Sequence, residues 1–522
     1  MVREKIVRGN TYLGIELGST RIKACLVDGD TFLPIAGGAY EWENKLQDGY
    51  WTYDLTQAIE GLSLCYASLK QDVFHKYGVG LTTVGAIGVS GMMHGYLALD
   101  GDNRLLVPFR TWRNTTTGQA AAELTALLGV NVYQRQSVAH LYQAILNKEP
   151  HITQVAHITT LAGYIYYLLT GKREIGVCEA SGMFPIADGR YDAEKLQRFN
   201  ERIRQHGLTY RMEDLLPSVK VAGDMGAPLS ERGARLLDPS GDLCAGIPLC
   251  PPEGDAGTGM VATNSVRPKT GNLSAGTSVF LMLALEKKLS GIYEVIDDYT
   301  TPDGVPIAMV HSNNGCSELD LWVNMFGEFA SLTGQALSKS DLYTLLYTHA
   351  LSGDADCGSV ISYNYLANEP VAGVENGTPL YFRTADSRLT LANFFRSQLY
   401  AAIAAMKFGM DVLVQQEHVS ADNINAHGGL FKVGGVAQRF LSAALNTPVS
   451  VVQTAAEGGA WGMALLSAYM MQKADKTLAD WLDERVFADM SKTTVVADLD
   501  EVEAFDTYFE KYRAGLSAFR QG

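Results

Sequence analysis

Tyr12-Leu13-Gly14-Ile15-Glu16-Leu17-Gly18-Ser19-Thr20, continued by Arg21-Ile22-Lys23-Ala24-Cys25-Leu26-Val27, reads as two apolar strands joined at a tight Gly-hydroxyl-hydroxyl turn. About half the chain later the pattern returns, where Gly271-Asn272-Leu273-Ser274-Ala275-Gly276-Thr277-Ser278 runs into Val279-Phe280-Leu281-Met282. A single turn of this kind closes many ordinary hairpins. Two of them at half-chain spacing point to duplicated domains whose hairpins face each other. Glycine lets backbone N–H groups approach an anion closely and the neighbouring hydroxyls add donors, so each hairpin suits phosphate oxygens, with Lys23 adding positive charge. Facing hairpins would grip a triphosphate from both sides.

Working outward, 522 residues with 47% hydrophobic and 19% charged side chains are too many for one core and apolar enough for two. Apolar runs alternate with helix-period segments, as in mixed α/β domains. Tyr12 to Glu16, Ile22 to Asp28 and Ala86 to Ser90 read as strands, and Ala120 to Leu128 and Phe395 to Val414 as helices. Near the end, Phe505, Tyr508, Phe509, Tyr512 and Leu516 fall on one helical face, the pattern of a helix packed on the body of the protein. Lys and Arg total 42 against 57 Asp and Glu, a formal charge of −15, which disfavours nucleic acid or an anionic membrane as partner. The seven cysteines are scattered without a Cys-x-x-Cys pair, so a reducing compartment is expected, with no disulfide framework or zinc site. No stretch reaches the roughly 18 apolar residues that span a bilayer, and a cytoplasmic protein is expected. A homodimer is compatible with the sequence.

Further segments carry chemistry. Glu253-Gly254-Asp255-Ala256-Gly257-Thr258-Gly259 sets an acid among glycines just before the second hairpin, which suits a carboxylate with backbone pressed close to a ligand, although Asp beside Gly is also common turn chemistry. Ile87-Gly88-Val89-Ser90-Gly91-Met92-Met93-His94-Gly95 runs a buried strand into a polar-apolar pair, and ligands of open α/β sheets sit at carboxyl ends of strands; a hydrogen-bonded core histidine is the plain alternative. Thr111-Trp112-Arg113-Asn114 follows, an aromatic beside donors that suits a polyol or serves as an ordinary loop. Towards the C-terminus, Gly428-Gly429-Leu430-Phe431-Lys432, Gly434-Gly435-Val436-Ala437-Gln438 and Glu457-Gly458-Gly459-Ala460-Trp461-Gly462 combine paired glycines with a small-residue helix. They could form a flat surface for adenine, and close helix packing explains Gly459 and Gly462 equally well.

With these motifs in order, the chain resembles the FGGY carbohydrate kinases over nearly its whole length, from Tyr12 to about Leu516. The resemblance implies α/β architecture with duplicated ribonuclease H-like domains of the actin and hexokinase type, at 10–263 and 264–518, and an interdomain active-site cleft that closes on sugar. It implies Asp255 as catalytic base; Met93, His94, Trp112, Arg113 and Asp255 as substrate-binding residues; Gly18, Ser19, Thr20, Lys23, Gly276, Thr277, Ser278, Gly428, Gly429, Phe431, Lys432 and Gln438 for ATP; and Glu16 and Asp255, through water, for Mg²⁺. Ser90-Gly91-Met92-Met93-His94-Gly95 is similar to the Ser-Gly-Gln-Met-His-Gly of xylulokinases. The implied reaction is phosphorylation of a ketopentose, D-xylulose ahead of L-ribulose, with rhamnulose, fuculose or glycerol as alternatives. A chaperone- or actin-like ATPase and a non-catalytic sugar sensor are the rivals from other classes. Three positions depart from the family pattern. Glu16 stands where the first motif usually opens with Asp, Met92 replaces the usual Gln, and the usual Arg-Ala-x-x-Glu-Gly helix reads Arg396-Ser397-Gln398-Leu399-Tyr400-Ala401.

Overall fold

The computed structural model describes residues 1–452 and 458–520. The chain divides into two compact units, the first built from Met1–Val266, Asp298–Pro306 and the helical segment 458–489, the second from most of the remainder.

In the first unit, β1 (Thr11–Leu17) and β2 (Arg21–Asp28) form the expected hairpin, with Glu16 opposite Lys23. Strand β3 (Pro34–Glu41) continues the sheet antiparallel beyond β2. On the other side of β1, β4 (Ala86–Gly91) and then β5 (Leu249–Gly254) run parallel to it. Pro251 and Pro252 lack an N–H, and they fall on the edge strand at a register shift between Cys250 and Glu253, where a ladder bond is not required. β1 is buried on both faces because helices cover both. A Cβ on Gly14 would lie 2.0 Å from the Ala460 carbonyl of helix Gly458–Gln472, whereas one on Gly38, on the opposite face, would lie 2.3 Å from the Cys65 carbonyl of helix Leu55–Tyr77. Small residues let that first helix press against β1, β4 and helix Asp255–Ala262: a Cβ on Gly462 would stand 2.0 Å from the Thr258 carbonyl. A second core of this unit gathers Tyr96, Val138, Tyr142, Ala180 and Phe199 around helices Gly118–Leu128 and Ser137–Leu146.

The second unit repeats the plan. β6 (Thr270–Ala275) and β7 (Val279–Ala284) form a hairpin, β8 (Pro306–Ser312) adds antiparallel beyond β7, and β9 (Asn423–Gly428) and β10 (Val449–Val452) run parallel on the other side of β6. Strand β11 (Lys492–Val495) pairs antiparallel with β10. The core is dominated by helix Leu391–Gln415, which opens on Thr390 accepting the Asn393 N–H and buries Phe395, Leu399, Tyr400 and Ile403. The final helix, Leu499–Gly515, ends in a short 3₁₀ turn and lays Phe505, Tyr508, Phe509, Tyr512 and Leu516 into the same core, the face its spacing predicts. Among the described residues no helix is long and apolar enough to cross a membrane.

Candidate active site

Strand β5 ends at Gly254 and the chain turns directly into helix Asp255–Ala262, so Asp255 stands in the first turn of a helix whose partial positive charge favours a carboxylate. Its Oδ1 accepts the Met93 N–H at 3.0 Å and the Ala256 N–H at 3.0 Å. Burial raises the carboxyl above its ordinary value, and those two N–H groups oppose the rise. Gly254 is obligatory: a Cβ there would lie 2.3 Å from Glu179 Oε2 and 3.0 Å from Met93 Cγ.

Glu16 arrives from β1. Its carboxylate is wedged where a Cβ on Gly459 would come within 2.6 Å of Glu16 Oε1 and 2.8 Å of Thr258 Oγ1, so a glycine far away in sequence makes room for it. Burial, and then the neighbouring Asp255, push Glu16 up to about 7, while Lys23 and the Ala460 N–H pull the other way. Lys23 is half-buried on β2, directly opposite. A buried carboxyl whose proton affinity is raised by a neighbouring carboxylate, beside one lysine, marks a spot that a cation would relieve.

The turn after β1 is pinned from behind. The Gly18 carbonyl accepts the Trp42 indole N–H at 2.7 Å, the Ser19 carbonyl accepts the Tyr53 hydroxyl at 2.7 Å, and the Thr20 carbonyl accepts the Trp42 amide at 3.1 Å. Ser19 is half-buried and Thr20 exposed, so the hydroxyl side of the turn remains accessible.

Met93 and His94 leave β4 side by side, and His94 takes a left-handed backbone, φ 70°. Its Nδ1 lies 3.3 Å from the Gly182 carbonyl, while Nε2 meets the Arg135 Nε at 3.3 Å and the Tyr299 hydroxyl at 3.1 Å. This arrangement fits an Nδ1–H tautomer accepting at Nε2. Nothing in the sequence separates Arg135, Tyr133 or Tyr299 from ordinary loop residues, yet all three gather on His94. Glu179 was equally hidden. It is fully buried behind Gly254, and burial holds its carboxyl well above the usual range. Arg113 lies over the Trp51 ring at 4.3 Å, and Trp112 packs on the first core. Asn114 is a clamp, its amide donating to the Trp51 and Thr111 carbonyls and accepting the Trp51 N–H.

In the second unit the turn Gly276-Thr277-Ser278 is mostly exposed, with Gly276 N–H closing on the Ser278 carbonyl at 2.9 Å. Gly428, at φ 105°, stands beside it: a Cβ there would lie 2.2 Å from the Ala275 carbonyl. The paired glycines and the second hairpin are thus neighbours, although some 150 residues separate them in sequence. Lys432 is exposed. Phe431 and Gln438 face inward. Phe431 is buried in the core, and the Gln438 amide is committed to the backbone, accepting the Gly435 N–H and donating to the Val449 and Thr493 carbonyls. Gly459 and Gly462 serve close packing, and Glu457 lies outside the described residues. The Tyr400 hydroxyl, standing where the family pattern has Glu, accepts from the buried Arg396, whose charge is met by Glu501 at 3.2 Å.

Residues 11–233 match the profile of the FGGY family of carbohydrate kinases, N-terminal domain, and residues 271–471 match that of its C-terminal domain. A xylulose kinase of Haemophilus influenzae is 22% identical over 97% of this chain and 99% of its own. Among solved structures, a xylulose kinase from Rhodospirillum rubrum superposes with a TM-score of 0.78 at 18% identity, over 98% of this chain and 99% of its own. A gluconate kinase from Lactobacillus acidophilus superposes with a TM-score of 0.78 at 15% identity, over 97% and 98%. These neighbours share the actin- and hexokinase-like ATPase fold. The chain belongs to the FGGY family of carbohydrate kinases.

Proposed function

We propose that this kinase transfers the γ-phosphoryl group of ATP to the terminal hydroxyl of a ketopentose, D-xylulose ahead of L-ribulose, with Asp255 as general base. The observation that carries the reading is the Met93 N–H bond to Asp255, which fixes a carboxylate at the helix start beside Met93 and His94. In the step itself the sugar oxygen bonds to the γ-phosphorus, the bond from phosphorus to the departing ADP oxygen breaks, and Asp255 takes the hydroxyl proton. The turns Gly18–Thr20 and Gly276–Ser278 are assigned to phosphate oxygens, Lys23 to their charge, and Gly428 and Gly429 to the adenine face.

Magnesium fits the donor set. Among the described residues no group of three or more His, Cys, Asp and Glu side chains could hold a bare ion. Mg²⁺ typically keeps several waters and needs only one or two carboxylates plus phosphates, which Glu16 and Asp255 offer. It would supply charge neutralisation at the transferring phosphoryl group.

A second reading, a sugar acid as acceptor, draws on the Arg135 guanidinium against His94. One assay decides between them: ADP release with D-xylulose, L-ribulose, other ketoses, glycerol and aldonates. The highest kcat/KM is expected on D-xylulose. An aldonate in first place would select the second reading, and ADP release independent of any sugar would overturn both.

A further inference from the structure

A buried acid in the second unit has no part in the chemistry above. Glu369 is fully buried, and its Oε2 accepts the Ser312 hydroxyl at 2.6 Å and the Asn314 side-chain amide at 2.9 Å. Asn314 also donates to the Ala367 and Asn368 carbonyls and accepts the Ala367 N–H at 2.8 Å. From the same segment, the Asn364 amide donates to the carbonyls of Asn314 and Gly315 at 3.2 and 2.8 Å. Two stretches about fifty residues apart are thereby tied into one polar knot, in a setting where an apolar pairing would be cheaper to bury.

The knot has a mechanical output. Immediately after it, the Gly315 N–H donates to the Thr277 carbonyl at 2.8 Å and the Cys316 N–H donates to the Gly276 carbonyl at 2.8 Å. These carbonyls belong to the turn assigned to phosphate. The fit leaves no slack, since a Cβ on Gly315 would lie 2.4 Å from the Gly276 carbonyl oxygen. Whatever sets the Ser312–Cys316 loop therefore sets the turn.

We propose that Glu369 is a positioning residue for phosphoryl transfer: through Ser312 and Asn314 it fixes the loop whose N–H groups hold the Gly276–Thr277 turn in its ATP-binding shape. The proposal rests on the reading of that turn as a phosphate site. Burial holds the Glu369 carboxyl above its usual range, and the two donors oppose the rise, so the acid serves by geometry.

The test compares Glu369→Ala, Glu369→Gln, Gly315→Ala and Thr277→Val in the full-length protein, reading KM for ATP, KM for the sugar, kcat and ATP binding by calorimetry. Glu369→Ala is expected to raise the ATP KM by roughly tenfold to a hundredfold while the sugar KM stays within about twofold, as suits a displaced contact remote from the sugar. Glu369→Gln, which keeps an acceptor for Ser312 and Asn314, should recover most of the loss. Gly315→Ala, which pushes on the same turn and leaves Glu369 intact, should raise the ATP KM likewise and serves if Glu369→Ala fails to fold. Lowered thermal stability with an unchanged ATP KM, or equal rises in both KM values, would overturn the proposal. If Thr277→Val weakens ATP binding and neither Glu369→Ala nor Gly315→Ala does, the positioning role falls and the phosphate reading stands. If none of the variants alters ATP binding, the phosphate reading falls and takes the proposal with it.

Discussion

The Met93 N–H donates to Asp255 Oδ1 across 3.0 Å, joining the exit of β4 to the first turn of the helix that follows β5. Asn at position 255 can still accept that bond through its amide oxygen, so Asp255→Asn should fold normally and lose proton acceptance alone. Turnover is expected to fall about 10²- to 10⁴-fold with sugar binding retained. Steady-state rates together with calorimetric sugar binding check this, and turnover equal to wild type would remove Asp255 from the base role.

Gly462 lies against helix Asp255–Ala262, with backbone rather than a pliable side chain in the path of any added methyl. Gly462→Ala is therefore expected to cost about 3 kcal/mol or more, and to depress soluble yield and the melting temperature together. An alanine variant that melts within a degree of wild type would contradict the close packing of the two helices.

Glu417 closes a loop of the second unit. Burial alone would raise its carboxyl, but the Tyr293 hydroxyl, the Ser290 N–H and hydroxyl, and the Gly291 N–H together bring it down to about 2. A group depressed in the folded state stabilises at pH values above its unfolded value and loses that contribution as pH falls from about 4.5 towards about 2. Glu417→Gln should lower stability by roughly 2 kcal/mol near neutrality and make the melting temperature less steep in this acid range. Parallel acid profiles for wild type and variant would count against it.

His140 is the opposite case, a buried ring with no hydrogen-bond partner on either nitrogen among the described residues, its proton affinity lowered to about 3 by burial and by Arg110. Replacing it with a similarly sized apolar residue removes two unsatisfied polar atoms. His140→Leu should raise stability by about 1 kcal/mol without altering kcat, as thermal unfolding and an activity assay would reveal. A lowered melting temperature would mean that the Tyr96 stacking contact outweighs the unsatisfied nitrogens.

What could be read from the sequence was local. The hairpins at Gly18 and Gly276 declared themselves because turn chemistry and strand alternation are properties of neighbouring residues, and their recurrence carried the duplicated plan. Asp255 was readable as an acid among glycines, and the structure adds why: Gly254 and Gly257 face Glu179 and Cys178 at distances no Cβ could occupy. Phe431 and Gln438 belong to a glycine-rich segment whose sequence does not tell which side chains are buried; that is decided by partners such as Val449 and Thr493 that the segment itself does not contain. Arg396 looked like the remnant of a motif that had lost its Glu. Its carboxylate is supplied from Glu501, more than a hundred residues away, a pairing that only the packed helices reveal. Glu369 was invisible for the same reason.

The pinning of the first turn by Trp42 and Tyr53 has a thermodynamic corollary. Because the three carbonyls of Gly18, Ser19 and Thr20 are engaged as the chain folds, the conformational entropy of that loop is surrendered during folding and not at the encounter with the phosphate proposed for it. Ligand binding at this turn should accordingly carry a small ordering penalty, and loss of the Trp42 indole would transfer that penalty from the folding equilibrium to the binding one.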